Sequence, residues 1–231
     1  MHDFAAACYA EYIKARRSTM PWLTVCALCL APLFGALFVV VLRNPALTAG
    51  NELLQAKAAV AGFEADWPSF LNLIGQAIGV GGLIVFGFAT SWIYGREHSD
   101  HTIKDLLCLP VSRTTIVLAK LTVCVAWCLL ITVAVTIVGL MTGALLRLEG
   151  WEPGMVGAAL GRTLLTAAMA IALCPPVAFV AGAGRGYLAP LGFVIMTVVV
   201  AQIIGALGFG AYVPWAVPAL FSGLGSEAGG S

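Results

Sequence analysis

Between Arg17 and Arg43 the chain runs without a formal charge, and longer or comparable runs recur along its length. A helix needs roughly 20 apolar residues to cross about 30 Å of hydrocarbon, and it satisfies its own backbone hydrogen bonds while doing so. Trp67 to Gly95, Leu121 to Leu146 and Thr163 to Gly184 are uncharged throughout, and each is long enough for one crossing. The last run, Gly186 to Ser226, is too long for one crossing and divides into Leu188–Gly208 and Phe209–Leu224. The second piece carries Pro214, Trp215 and Pro218 behind Gly210, a composition that predicts a re-entrant or interfacial segment instead of a straight helix.

The reading is therefore an all-α polytopic membrane helical bundle of five visible transmembrane helices, one domain over residues 1–231. With 61% hydrophobic and 10% charged residues, an ordinary soluble domain is excluded, since such domains carry about 25% charged residues. Twelve Lys and Arg against eleven Asp and Glu leave no basic excess for a nucleic-acid surface.

Basic residues favour the cytoplasmic side of short loops, and aromatic residues gather at the interfaces. An inside N-terminus places Lys14, Arg16, Arg17, Arg96, Lys104, Arg113, Lys120 and Arg185 inside, against Arg43, Lys57, Arg147 and Arg162 outside. That predicts a multi-pass protein of the plasma membrane with its N-terminus in the cytoplasm. The first apolar run exceeds a signal-peptide core of about 7–15 residues, so it reads as a retained helix.

Ahead of it, residues 3–17 are either a plain extension or an interfacial helix. In the latter Phe4, Ala5, Cys8, Tyr9 and Tyr12 share one face, and Asp3, Glu11 and Lys14 the other. Gly75 with Gly79, and Gly139 with Gly143, have the spacing that lets helices approach closely. Pro175 and Pro176 predict a kink or break in the fourth span, for gating or for fitting its neighbours.

No Asp, Glu or His falls inside a predicted span, which argues against a proton-driven carrier, a membrane haem protein and an intramembrane Ser-His hydrolase. The chain has no phosphate-cradling G-x-x-x-x-G-K-[ST] loop, so any ATP must be hydrolysed elsewhere. Cys26 with Cys29, and Cys124 with Cys128, read as small buried hydrophobes before redox pairs. Glu97, His98, Asp100 and His101 crowd into one cytoplasmic turn, either as metal ligands or as a solvated loop. Asn72, Gln76 and Gln202 are the polar residues that could face a cavity; the other use for them is interhelical hydrogen bonding.

The loop 95–113 holds the densest pattern. Thr102 and Asp105 give a T-x-x-D variant of the capping box, and Ile103, Leu106 and Leu107 make an i, i+3, i+4 apolar stripe on a short cytoplasmic helix. Pro110 ends that helix and Ser112 can cap the next span. Such a helix either lies on lipid or docks into a partner's groove.

Glu97, Thr102, Leu106 and Leu107, followed by Pro110, Val111, Ser112, Arg113 and Lys120, resemble the permease subunits of type-2 ATP-binding-cassette (ABC) exporters, in particular those of the bacitracin-resistance and lantibiotic-immunity kind. An interfacial helix before the first span and Pro214, Trp215 and Pro218 after the fifth fit the same layout. His101 departs from it, because many members have Gly before the Thr.

The resemblance implies a non-enzymatic membrane subunit that pairs with a second permease copy or homologue, contacts membrane lipid, and couples to a separate ATPase subunit that binds ATP and Mg. Glu97, Thr102, Ile103, Leu106, Leu107, Pro110 and Arg113 would make that coupling surface. The cargo would be an amphipathic or hydrophobic molecule such as a peptide antibiotic; the alternative is a non-transporting scaffold or immunity protein. Permeases of this layout have six spans, which implies a sixth beyond Ser231.

Overall fold

The computed structural model describes residues 2–43, 65–102 and 111–224. Helix α1 (His2–Arg16) precedes α2 (Met20–Arg43), the first helix long and apolar enough to span a membrane. The second span is one continuous rod of 33 residues, built from α3 (Trp67–Gln76), a π-helical turn at Ala77–Gly81 and α4 (Gly82–Ser99). Helix α5 (Arg113–Leu145) also has 33 residues. At 1.5 Å per residue these rods are roughly 50 Å long, so both project beyond the hydrocarbon.

The fourth span is α6 (Pro153–Ala172) followed by α7 (Cys174–Ala183), and the fifth is α8 (Leu188–Ala206). Among the described residues five helical stretches are long and apolar enough to cross a membrane, as the uncharged runs predicted. The charge-free runs clipped the third and fourth spans. Their helices begin ahead of Leu121 and Thr163, at Arg113 and Pro153, because charged residues are tolerated where a rod emerges from lipid.

Local chemistry sets the ends. Asp66 caps α3 by accepting the Ser69 N–H at 3.0 Å, with Pro68 in the first turn where no N–H is needed. Ser112 caps α5 in the same way, accepting from Thr115 N–H at 3.1 Å. The fourth span breaks at Leu173, immediately before the Cys174-Pro175-Pro176 turn that opens α7. Two consecutive prolines each lack a donor, and the chain resolves this by starting a new helix.

The main core lies between α2, α4, α5, α6, α7 and α8, around Phe86, Ile131, Val135 and Ala167, with a second cluster around Trp67, Phe70 and Ile74. Glycines let these rods touch: a side chain at Gly139 would collide with Ile74, and one at Gly143 would meet the Trp67 ring at 2.7 Å. The far end of the bundle is tied by Arg43. Its guanidinium donates to Leu146 O at 2.6 Å and to Ala65 O and Arg147 O at 3.3 Å, joining the end of the first span to the turn after α5 and to the stretch ahead of α3. Trp67 and Trp151 stack edge to face beside it, 4.7 Å between centroids.

After α8 the chain turns back into the bundle. A 3₁₀ turn at Gly210–Tyr212, the short helix α9 (Val217–Ala219) and a π-helical turn at Leu220–Leu224 return it to the second span. There Ser222 Oγ and Pro218 O lie 2.7 and 2.8 Å from where a Gly79 side chain would begin. Gly79 is twelve positions along from Trp67, so the segment reaches about 18 Å below that end. Trp215 packs edge to face on Phe193, 5.9 Å between centroids. The re-entrant reading of 209–224 is borne out, and Gly75 and Gly79 serve this segment.

Gly79→Leu should therefore lift residues 217–222 off the second span. The overpacking cost is about 1–3 kcal/mol, visible as a lower unfolding temperature in detergent. Gly157→Leu, at a position with open space around it, should leave that temperature unchanged.

Candidate functional site

Helix α1 packs on the bundle through a face that includes the buried carboxylate Glu11 and the half-buried Lys14. Glu11 and Lys14, one turn apart, face the ends of α4 and α5, where Glu97 and Lys120 wait. Lys120 is 4% exposed and uses all three ammonium hydrogens: on Glu97 Oε1 at 2.9 Å, Glu11 Oε2 at 3.1 Å and the Ile93 carbonyl at 3.1 Å. Lys14 donates to Glu11 Oε1 at 2.8 Å and to the same Glu97 Oε1 at 2.9 Å.

Two buried carboxylates and two ammonium groups thus close a neutral knot that joins α1, the second span and the third. Burial pulls the Lys14 proton affinity down, but hydrogen bonds to Glu11 and Glu97 and their charge outweigh it, so its pKa stands above the ordinary lysine value. Its contribution is complete below about pH 10 and is lost only as pH rises through that raised value.

Glu11 and Lys14 therefore turn toward the bundle while Asp3 stays exposed, and the aromatic face turns out: Tyr9 is 66% exposed, with Phe4 and Tyr12 also exposed. An interfacial helix with its charges in water would have been the ordinary arrangement; here the buried Lys120 ammonium draws the Glu11 carboxylate inward. Arg96 supports the knot from outside. It donates to the Lys14 carbonyl at 3.4 Å, pairs with Asp100 at 2.9 Å and lies 4.8 Å over the Trp92 ring.

The second span ends in a left-handed turn at His101 (φ 58°), where Thr102 N–H closes onto Glu97 O at 3.0 Å. Glycine adopts this conformation without strain, which accounts physically for Gly at that position in the family resembled. Of the expected coupling residues, Glu97 is occupied inside the knot, Thr102 closes the helix end and Arg113 opens α5, exposed. Ile103, Leu106, Leu107 and Pro110 lie outside the described residues, as does the capping partner Asp105. Among the described residues no group of three or more His, Cys, Asp or Glu side chains is placed to hold a metal ion.

The three polar candidates do not converge. Asn72 lines a cavity of about 380 Å³ with Arg162 and Ser222, between α3, α6 and the returning C-terminal segment, and its Oδ1 is buried without a partner. Gln76 and Gln202 are half-buried and do not line it. Trp127, well inside the third span, donates its indole N–H to Thr24 at 3.2 Å, bridging the first and third spans.

Sequence reasoning missed the knot. Glu97 and Lys120 stand on different helices, separated by the whole of loop 103–110, and their pairing with Glu11 needs tertiary geometry. The signal that could have found it is the single Lys at the edge of an apolar run, which must be neutralised or paired.

Lys120→Met should leave Glu11 and Glu97 buried with half their compensation. Loss of one partner from a buried pair costs about 3–5 kcal/mol, seen as a lower unfolding temperature and as faster tryptic cleavage at Arg16 and Arg17. Lys14→Met should cost much less, because the Lys14 side chain is 40% exposed.

Residues 7–202 match the model of a family described as ABC-2 family transporter protein. The chain is also similar to the bacitracin transport permease protein BCRB of Bacillus licheniformis, 27% identical over 134 residues. That alignment covers 58% of this chain and 64% of the relative, less than two thirds of the relative's length. No solved structure matches the chain.

Proposed function

Because the chain belongs to the ABC-2 family of transporter proteins, we propose that it is the membrane-spanning subunit of an ATP-driven exporter, coupled to hydrolysis by a separate ATPase chain that binds ATP and Mg. Its cargo is an amphipathic or hydrophobic molecule such as a peptide antibiotic, and it works with a second permease copy or a homologue. Its N-terminus lies in the cytoplasm, on the side favoured by the basic residues. The likeness to a bacitracin transport permease supports the cargo class.

The observation that carries the coupling is the position of the knot. Loop 103–110 begins shortly after Glu97, at the end of the second span, and leads into the third span one short stretch ahead of Lys120. A partner pressing on that loop acts on two rods whose ends are already locked to each other and to α1. Displacement there is passed to the bundle as a rigid-body shift, because a paired buried charge resists separation more strongly than an apolar contact does. The chain itself contributes geometry and no chemistry.

Leu107→Asp tests the docking role of the Ile103, Leu106 and Leu107 stripe. Burying each apolar side chain is worth about 1.5–3 kcal/mol, while a charge in the same groove is desolvated without a partner. The expected outcome is loss of ATPase co-purification and of substrate-stimulated hydrolysis with normal membrane insertion. Lys104→Ala, off the stripe, should retain both. Full coupling in Leu107→Asp would favour the reading in which this helix lies on lipid.

Orientation has its own check. In a cysteine-free background, Lys57→Cys should react with an impermeant thiol reagent in intact cells and Lys104→Cys should not. The opposite pattern would place the knot and the loop outside.

A further inference from the structure

Beside the knot, on the other edge of α1, a groove of about 540 Å³ opens between α1, the first span and the third. We infer that this groove binds an anionic membrane phospholipid, with its phosphate at Arg16 and an acyl chain laid along Val25, Trp127 and Leu130. The inference is independent of transport and would hold for a scaffold as well as for an exporter.

The groove is graded from one end to the other. At the α1–α2 junction it is lined by Tyr12, Arg16, Pro21 and Trp22, and Arg17 follows in the chain. Toward the middle of the bundle the walls become Val25, Val123, Ala126, Trp127 and Leu130, with no charged group among them.

Leu130 lies ten positions along α5 from Lys120, about 15 Å. That is half the roughly 30 Å of a bilayer's hydrocarbon, the depth of one leaflet. The groove therefore starts at headgroup level and ends near the midplane.

Three further features favour a lipid over water or a protein partner. Trp22 is 77% exposed at the mouth, and Tyr12 is exposed beside it, the amphipathic rings that settle at headgroup depth. The Trp127 indole N–H is already satisfied by Thr24, so the back wall offers an apolar ring and no unmet donor. Glu11, the acidic group nearest Arg16 along α1, is taken by Lys14 and Lys120, which leaves the cation of Arg16 to face outward without an ion pair among the described residues.

The test uses the full chain reconstituted in vesicles of phosphatidylcholine containing brominated phosphatidylglycerol, or brominated phosphatidylcholine at equal mole fraction. Quenching of Trp127 is read as the difference between the protein and its Trp127→Phe variant. One arginine near a headgroup is worth about a fivefold preference for the anionic lipid, and that is the expected ratio. Arg16→Gln should bring the ratio close to one, and Arg16→Lys should keep most of it. Ala126→Phe, which fills an exposed position on the groove wall, should remove the preference with the oligomeric state unchanged. Equal quenching by the two lipids in the unmodified protein would overturn the proposal. So would a preference that survives both Arg16→Gln and Ala126→Phe, or a change in oligomeric state caused by Ala126→Phe, which would mean that a second copy fills the groove.

Discussion

A lysine ammonium enclosed in an apolar bundle is the constraint around which one end of this molecule is organised. Lys120 is buried with three hydrogens to satisfy, and a main-chain carbonyl can take only one of them usefully. Two carboxylates take the others, and once two carboxylates are buried together a second cation is required to keep the group neutral. Lys14 is that cation. The four residues come from three separate helices, so satisfying the charge of one fixes the relative position of all three.

Such a knot adds little net stability, because desolvation offsets most of the Coulomb attraction. Its consequence is registry: no sliding or rotation of α1 keeps every contact in the knot, whereas an apolar contact between the same helices would tolerate both. This also decides which face of α1 is buried. With Glu11 and Lys14 turned inward, the aromatic residues are left outside, where a membrane interface accepts them. At the opposite end a cation is bound to main-chain carbonyls. Arg43 donates to the Leu146 and Arg147 carbonyls just past the end of α5.

The spans were legible because a charge-free run as long as the hydrocarbon is thick has one physical use, and the proline pair and the glycine pairs marked where a rod breaks or is approached. The return of the C-terminal segment was legible from Pro214 and Pro218. Less visible was the π-helical turn at Ala77–Gly81: a Gly-rich apolar stretch has no periodicity by which a widened turn could be read. The start of α5 at Arg113 was legible from the Ser112 cap and not from the uncharged run, because a charge ends a counted run where a helix merely leaves the lipid. The knot was hidden because its members are spread from Glu11 to Lys120, and a pattern within one helix cannot encode a partner on another. Asn72 could be named as a polar residue in an apolar rod, but one wall of its cavity is Ser222, which lies 150 positions further along the chain.

The two structural features of the α1 end are not separate. Ile93 gives its carbonyl to Lys120, and the same residue lines the groove on the other side; Ala15, buried against the bundle, and Arg16, exposed at the groove mouth, are neighbours on α1. Helix α1 is thus a beam fixed along one edge by charge and forming with its other edge the wall of a lipid-accessible cleft. Moving it outward must stretch the contacts to Lys120, and moving it inward must narrow the cleft between Tyr12 and Trp127. The bundle therefore has a stiff coordinate at this end, set by a buried ion, and loop 103–110 joins the two rods along which that coordinate runs.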